Sequence, residues 1–189
     1  MAWSKLKQQL ESFLSPALHG RVEYRSTSYR YLPDKAGHCY IAVDKKNVLN
    51  MSDTTTMIRW YQTDLEIKND STIQIPIYNE EIEAVRKDTK GLVPEDRLKV
   101  IARGRKISEY AKELLSAQSA LSKSNFIVVA NKFLSTSIEE SIESNDILLN
   151  ILALVDRRVG KKRILNMTEK MKVKHPIVQY FYELRFSTL

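Results

Sequence analysis

The 189-residue chain has one cysteine, five glycines and three histidines, and each scarcity excludes certain kinds of site. Because Cys39 is alone, no intramolecular disulfide can form, and the chain fits a reducing compartment. So few glycines disfavour phosphate-cradling loops, and the glycine-rich nucleotide-binding and nucleophile-elbow patterns do not occur. His19, His38 and His175 lie far apart and lack zinc-ligand spacing. We therefore expect no cofactor and no metal.

Long apolar runs are also missing. None approaches the roughly 18 residues that span a bilayer, so the sequence predicts no transmembrane helix and no membrane partner. Residues 1–5 lead directly into an amphipathic segment, so we expect no signal peptide and a cytoplasmic location. A composition with 43% hydrophobic and 28% charged residues is ordinary for a globular chain with one substantial core or two small ones.

Positive charge is concentrated near the C-terminus. Residues 1–149 hold 21 Lys and Arg against 20 Asp and Glu, whereas residues 150–189 hold nine against three. The formal net charge of +7 therefore comes almost entirely from the second range. A local excess of this kind attracts phosphate groups or an acidic protein.

Hydrophobic periodicity predicts an α+β fold, with an N-terminal helix and a small antiparallel sheet followed by a C-terminal helical bundle. Apolar residues recur at helical spacing over residues 3–14. Alternation indicates a strand over residues 21–31 and a hairpin over residues 39–51. Two more strands are predicted over residues 57–67 and 72–77.

After residue 78 the apolar period changes to about 3.6, which is typical of helices. Helix starts are predicted at Pro94, Ser124, Ser137, Ser144-Asn145-Asp146 and His175-Pro176. We therefore divide the chain into an N-terminal part, residues 1–77, and a helical part, residues 78–189, packed as one compact unit.

Three segments near the two ends of the chain are distinctive. They are Trp-Ser-Lys-Leu-Lys at residues 3–7, Asp-Arg-Arg-Val-Gly-Lys-Lys-Arg at residues 156–163 and His-Pro-Ile-Val at residues 175–178. In this order they resemble a family of small uncharacterised bacterial or phage-borne proteins, over the whole chain. The resemblance implies a cytoplasmic protein and supplies no catalytic residue.

The strongest candidate site is the basic segment of residues 157–163. Its cations are Arg157, Arg158, Lys161, Lys162 and Arg163. On a single helix, the four-residue spacing would pair Arg157 with Lys161 and Arg158 with Lys162. Arginine offers phosphate a bidentate fork, and lysine offers a flexible point charge. We predict a non-enzymatic binding module whose basic C-terminal face contacts phosphate groups or nucleic acid, without sequence-specific readout of bases.

Two other interpretations of this segment stay open. Asp156, or the acidic residues Glu139, Glu140 and Glu143, can neutralise it internally and leave an ordinary solvated face. Alternatively, the chain is a protein-interaction or inhibitory module that binds an acidic protein partner.

A remote alternative is an Mg-dependent nuclease. Glu66 and Lys68, on the predicted strand over residues 57–67, would combine with Asp53 or Asp64 upstream. Because a Glu-x-Lys triplet is common by chance, this hypothesis depends on its structural context.

Three further groups have both a functional and an ordinary interpretation. Tyr29-Arg30-Tyr31 is either a recognition surface or a set of half-buried sheet aromatics. Tyr180 and Tyr182, if exposed, would stack on bases beside the basic segment. The basic residues within 97–106 are flanked by Asp96 and Glu109, which favours a salt-bridged, solvated helix face.

Overall fold

The computed structural model describes residues 2–32, 35–118 and 120–189. In these ranges one α-helix and a short 3₁₀ helix, Pro16–Leu18, precede a three-stranded antiparallel sheet, and nine α-helices follow it. The elements are α1 Trp3–Phe13, β1 Val22–Ser28, β2 Gly37–Val43, β3 Lys46–Ser52, α2 Asp53–Asn69, α3 Asn79–Asp88, α4 Glu95–Ala117, α5 Lys123–Ser135, α6 Ile138–Glu143, α7 Ile147–Val155, α8 Lys161–Asn166, α9 Thr168–Met171 and α10 Pro176–Phe186. The predicted α+β fold is confirmed.

The chain folds into two units. The first contains residues up to 55 together with those from 119 onward, and the second contains residues 56–118. Our division of the sequence into an N-terminal part, residues 1–77, and a helical part, residues 78–189, stays a prediction. None of the helices in the described ranges is both long and apolar enough to cross a membrane.

The sheet of the first unit has the strand order β1-β2-β3. Asp44 and Lys45 join β2 to β3 with φ angles of 48° and 67°, the left-handed pair of a two-residue type I′ turn. The predicted hairpin is therefore confirmed. Glycine is required at position 37, because a Cβ there would lie 2.0 Å from the carbonyl oxygen of Thr27 on the paired strand.

Helices α5 and α7 build the core of the first unit. Every residue of α7 is buried, and this helix packs against α5, α6 and α10. Helix α5 also packs against the sheet, where the rings of Phe126 and Tyr24 stack at 6.1 Å between centroids. The basic segment begins directly where the buried helix α7 ends.

Most of the predicted helix starts are confirmed. They lie at Pro94, Ser137, Asp146 and His175-Pro176. Helix α5 differs by two residues, because Ser122 rather than Ser124 is its N-cap. The Ser122 hydroxyl accepts a hydrogen bond from the backbone N–H of Asn125 at 2.9 Å.

Helix α2 replaces the strand predicted over residues 57–67, and that prediction is wrong. Trp60, Asp64 and Ile67 recur at a spacing of three to four residues and all contact α4. Packing of this stripe against α4 decides for a helix, although aromatic and β-branched residues generally favour strands.

The strand predicted over residues 72–77 is wrong as well. This segment has no strand pairing, and Ile73 and Ile75 pack instead against the small core that Ile67 forms with Ile107 and Ala111. A second small core within the same unit consists of Val85, Leu98 and Ala102.

Candidate phosphate-binding groove

The basic segment does not form one helix. Helix α7 ends at Val155 and α8 begins at Lys161, so residues 156–160 form a connection between them. The pairing of Arg157 with Lys161 and of Arg158 with Lys162, which would require a single helix, is therefore absent. The helical path stops at Asp156, the C-cap of α7, whose extended backbone bridges to Leu14, and it starts again after Gly160, the N-cap of α8.

Arg158 is held in place by its neighbour Asp156. The Asp156 carboxylate is fully buried and accepts hydrogen bonds from the Arg158 guanidinium at 2.8 and 3.1 Å and from its backbone N–H at 2.7 Å. This hydrogen bonding raises the pKa of Arg158. The guanidinium also lies over two rings, 4.5 Å from the centroid of Phe13 and 5.4 Å from that of Phe133.

The same corner joins the ends of α1 and α7. The backbone N–H of Ser15 donates to the carbonyl of Val155, and that of Arg157 donates to the carbonyl of Phe13, both at 2.8 Å. Asp156 and Arg158 thus stabilise a backbone junction between distant parts of the chain. We call residues 156–158 the Asp156–Arg158 corner.

Beside this corner lies a groove of about 620 Å³, which we call the α6–α8 groove. Four cationic side chains line it. They are Arg158, Lys162, Arg163 and Lys170. Glu139 and Glu143 of α6 line the opposite wall, and Ile142 and Met167 contribute apolar surface.

The two acids neutralise two of the four cations. Arg163 donates to Glu139 at 2.8 Å, and Lys170 pairs with Glu143. Hydrogen bonds from these cations lower the pKa of both carboxyl groups, so both are charged at neutral pH. Lys162 is exposed and forms no ion pair with any residue that the structure describes.

Two of the predicted site residues lie outside the lining of this groove. Arg157 is exposed, and Lys161 donates to the backbone carbonyl of Leu189 at 3.0 Å. The structure therefore brings Arg158, Lys162 and Arg163 together but does not add Arg157 and Lys161 to them.

The remaining basic residues of the C-terminal region are mostly engaged. Lys172 pairs with Glu169 at 2.6 Å, and half-buried Lys174 donates to the carbonyl of Ser144 at 2.8 Å. Arg185 is buried, and its guanidinium donates to the Val159 carbonyl at 3.2 Å. The local charge excess counted from the sequence is thus partly compensated.

Asn166 and Lys170 also line the groove, outside the predicted site of residues 157–163. Both follow Arg163 at helical spacing, three and seven residues later, because α8 and α9 continue almost without interruption through Met167. That spacing is visible in the sequence and indicates a shared face.

The nuclease hypothesis loses its structural basis. Glu66 and Lys68 lie on helix α2 rather than on a strand, and Lys68 pairs with Asp64. Asp53 accepts hydrogen bonds from the backbone of Gly37 and Ser124. Over the three described ranges, no group of three or more His, Cys, Asp or Glu side chains is arranged to hold a metal ion.

Of the two tyrosines predicted to stack on bases, one is buried and one is partly exposed. Tyr182 is buried, with its hydroxyl near the Thr168 hydroxyl at 2.7 Å, so it cannot stack on a base, whereas Tyr180 is 39% exposed. Among the basic residues within 97–106, Arg105 pairs with Asp88 and Lys106 pairs with Glu81.

Comparison with known proteins places the chain in a family. No curated protein and no solved structure matches it. The model of the SF0329 protein family matches residues 2–186, which is nearly the whole chain. The chain therefore belongs to the SF0329 protein family.

Proposed function

We propose that this chain is a cytoplasmic, non-enzymatic binding module whose α6–α8 groove binds phosphate groups of nucleic acid. One observation carries the proposal: four cations line a single groove of about 620 Å³, and one of them, Lys162, has no acidic partner among the described residues. A groove of this volume is in the usual range for ligand sites. Cys39, buried and unpaired, supports a reducing compartment.

The cations of the groove suit phosphate in different ways. Asp156 fixes the Arg158 guanidinium, so its remaining donors lose little freedom when they bind an anion. Lys162 supplies a mobile point charge beside it. Arg163 forms an exposed ion pair, and such pairs contribute only about 0–1 kcal/mol, so a phosphate can replace the Glu139 carboxylate.

A polyanion fits this arrangement better than a single phosphate. Arg157 and Lys161 are exposed on either side of Gly160, outside the groove but within the same segment. A nucleic-acid backbone presents a series of phosphates and can contact the groove and these flanking cations together. Such contacts release counterions and make binding strongly salt-dependent.

The test is fluorescence anisotropy with a labelled mixed-sequence oligonucleotide, measured at several salt concentrations. We expect the double variant Lys162→Glu/Arg163→Glu to weaken binding by at least about tenfold at low salt, because it reverses two groove charges. Arg158 is unsuitable for charge reversal, since a glutamate there would face the buried Asp156 carboxylate.

A matched control separates the groove from net charge. Lys46→Glu/Lys132→Glu changes the formal charge by the same amount, and both lysines are exposed in the first unit, away from the groove lining. The control should retain most of the affinity. Equal loss in the two double variants, or full binding by the groove variant, would contradict the proposal. If wild-type protein binds no oligonucleotide at low salt, an acidic protein partner becomes the better hypothesis.

A further inference from the structure

Four aromatic side chains form a row at the end of the sheet where β1 passes into β2. The ring centroids of Tyr31 and Tyr29 are 5.8 Å apart, those of Tyr29 and His38 are 5.3 Å apart, and those of His38 and Tyr40 are 6.1 Å apart. We call these four residues the aromatic row. It belongs to the first unit and shares no residue with the α6–α8 groove.

The aromatic row lies on the solvent face of the sheet. Along β2, Cys39 and Ile41 point into the core, so the alternating residues His38 and Tyr40 point outward. Tyr31 is 82% exposed, an unusually large value for an aromatic residue. The sequence left open whether Tyr29-Arg30-Tyr31 is a recognition surface or a set of half-buried sheet aromatics. The high exposure of Tyr31 favours a recognition surface.

Hydrogen bonds hold the connection that carries Tyr29 and Tyr31 in position. The backbone N–H of Tyr29 donates to the carbonyl of Ala36 at 2.9 Å. Lys123, which is 5% exposed, donates to the Ser28 hydroxyl and to the Lys35 carbonyl, both at 2.6 Å. These bonds tie the two sides of the connection together, so the exposed rings are presented on a supported segment.

Polar and cationic groups surround the rings. On β3, Asn50 pairs in register with Tyr40, and Ser52 pairs with His38, so both add hydrogen-bonding groups to the same face. Arg30 and Lys35 are exposed in the connection and form no ion pair with any described residue. The acid described on this face of β1, Glu23, is already paired with Arg25 at 2.8 Å.

We infer that this face binds single-stranded nucleic acid, with unpaired bases stacking on the aromatic row. Exposed rings offer a face to any base, and neighbouring cations attract the phosphates, which together are the chemistry of single-strand recognition. A duplex hides its base faces and cannot use the rings. Among the described residues, this face carries a net positive charge, which favours a nucleic acid over an apolar protein surface that lacks acidic groups. Hydrogen bonding by Asn50 and Ser52 fits exposed base edges.

The test compares a fluorescein-labelled twelve-residue thymidine oligonucleotide with a duplex of the same length by anisotropy. Stacking on an aromatic side chain changes affinity by about 5- to 150-fold per base, so Tyr31→Ala should weaken single-strand binding within that range. Tyr31→Phe keeps the ring and should bind within about twofold of wild type. Tyr61→Ala removes another exposed tyrosine, on α2, and should have no effect.

The outcomes separate this inference from the proposed function of the groove. Tyr31→Ala should leave duplex binding unchanged, whereas Lys162→Glu/Arg163→Glu should weaken duplex binding. Wild-type affinity by Tyr31→Ala and Tyr40→Ala, or absence of single-strand binding by the wild type, overturns the inference. It also fails if Tyr31→Ala and Tyr61→Ala lose affinity equally. Circular dichroism of each variant confirms that the fold is retained.

Discussion

The Asp156–Arg158 corner and helix α8 are adjacent in sequence and rich in the same basic residues, but they use their charge differently. In the corner, Arg158 completes a hydrogen-bonded pair with a fully buried carboxylate and covers two aromatic rings. On α8, Lys162 and Arg163 are exposed, and Arg163 meets an acid that is itself 61% exposed. Arg158 is therefore committed to the fold and offers a ligand only its remaining donors, whereas Lys162 and Arg163 can turn fully to a ligand.

This difference shows why a count of charges identifies a binding site poorly. A buried partner commits a cation, because separating the pair leaves an unpaired charge in a desolvated place. A solvated partner commits it weakly, because water and salt screen the interaction. Burial of the acid, rather than the identity of the base, decides which residues of the segment can exchange their acidic partner for a phosphate.

Removing Arg158 tests this difference between the two kinds of cation most directly. We expect Arg158→Ala to lower the free energy of unfolding by about 2–4 kcal/mol, because it leaves the Asp156 carboxylate buried and unpaired. Arg157→Ala, one residue away, removes an exposed side chain and should change it by less than about 0.5 kcal/mol. Urea denaturation measures both. Similar values for the two variants would mean that the corner is not structurally special.

The ion pairs of Arg158 and Arg163 show how much of this site the sequence predicts. The sequence identified residues 157–163 as the most basic segment and named Asp156 and Glu139 as possible neutralising partners, and the structure has ion pairs with both. It did not predict that Asp156 is buried while Glu139 is exposed. That distinction depends on the backbone junction of α1 with α7, which brings together residues far apart in the chain.

The fold shows the same pattern. Helix α1, the β2–β3 hairpin and the cap of α7 depend on neighbouring residues, and local periodicity and turn chemistry predict them. Helix α2 depends on a distant element, because Trp60, Asp64 and Ile67 form one packed stripe where they meet α4. Local propensity therefore predicted a strand there and was wrong.

A smaller effect tests whether Arg163 and Lys170 can leave their acidic partners for a ligand. We expect Glu139→Gln/Glu143→Gln to raise affinity for a labelled oligonucleotide by about three- to tenfold, because it frees Arg163 and Lys170 and removes two negative charges from the groove. Anisotropy at low salt measures the change. Glu80→Gln/Glu113→Gln, with two exposed acids of the second unit, alters the charge equally and should have little effect.

The pH dependence of this groove follows from the same two acids. Ion pairing lowers the pKa of Glu139 and Glu143, so both stay charged above the usual glutamate range and are protonated only as the pH falls through their lowered values. Their contribution to oligonucleotide affinity should therefore be constant between about pH 6 and pH 8. Anisotropy across this range checks it, and a steep change that Glu139→Gln/Glu143→Gln abolishes would contradict the assignment.

The smallest effect concerns the exposed ion pair itself. A double-mutant cycle with Arg163→Ala and Glu139→Ala should give a coupling of about 0.2–1 kcal/mol in the free energy of unfolding. Chemical denaturation of the wild type, both single variants and the double variant measures it. A coupling well above this range would mean that Glu139 holds Arg163 too firmly for a phosphate to replace it.

The central claim is that Lys162 in the α6–α8 groove contacts a phosphate, and the salt dependence of binding tests it most directly. The slope of the logarithm of affinity against the logarithm of salt concentration counts the phosphates that the protein neutralises. With duplex DNA, Lys162→Ala should reduce the magnitude of this slope by about 1, and Lys132→Ala should leave it unchanged. An unchanged slope in Lys162→Ala would contradict the claim.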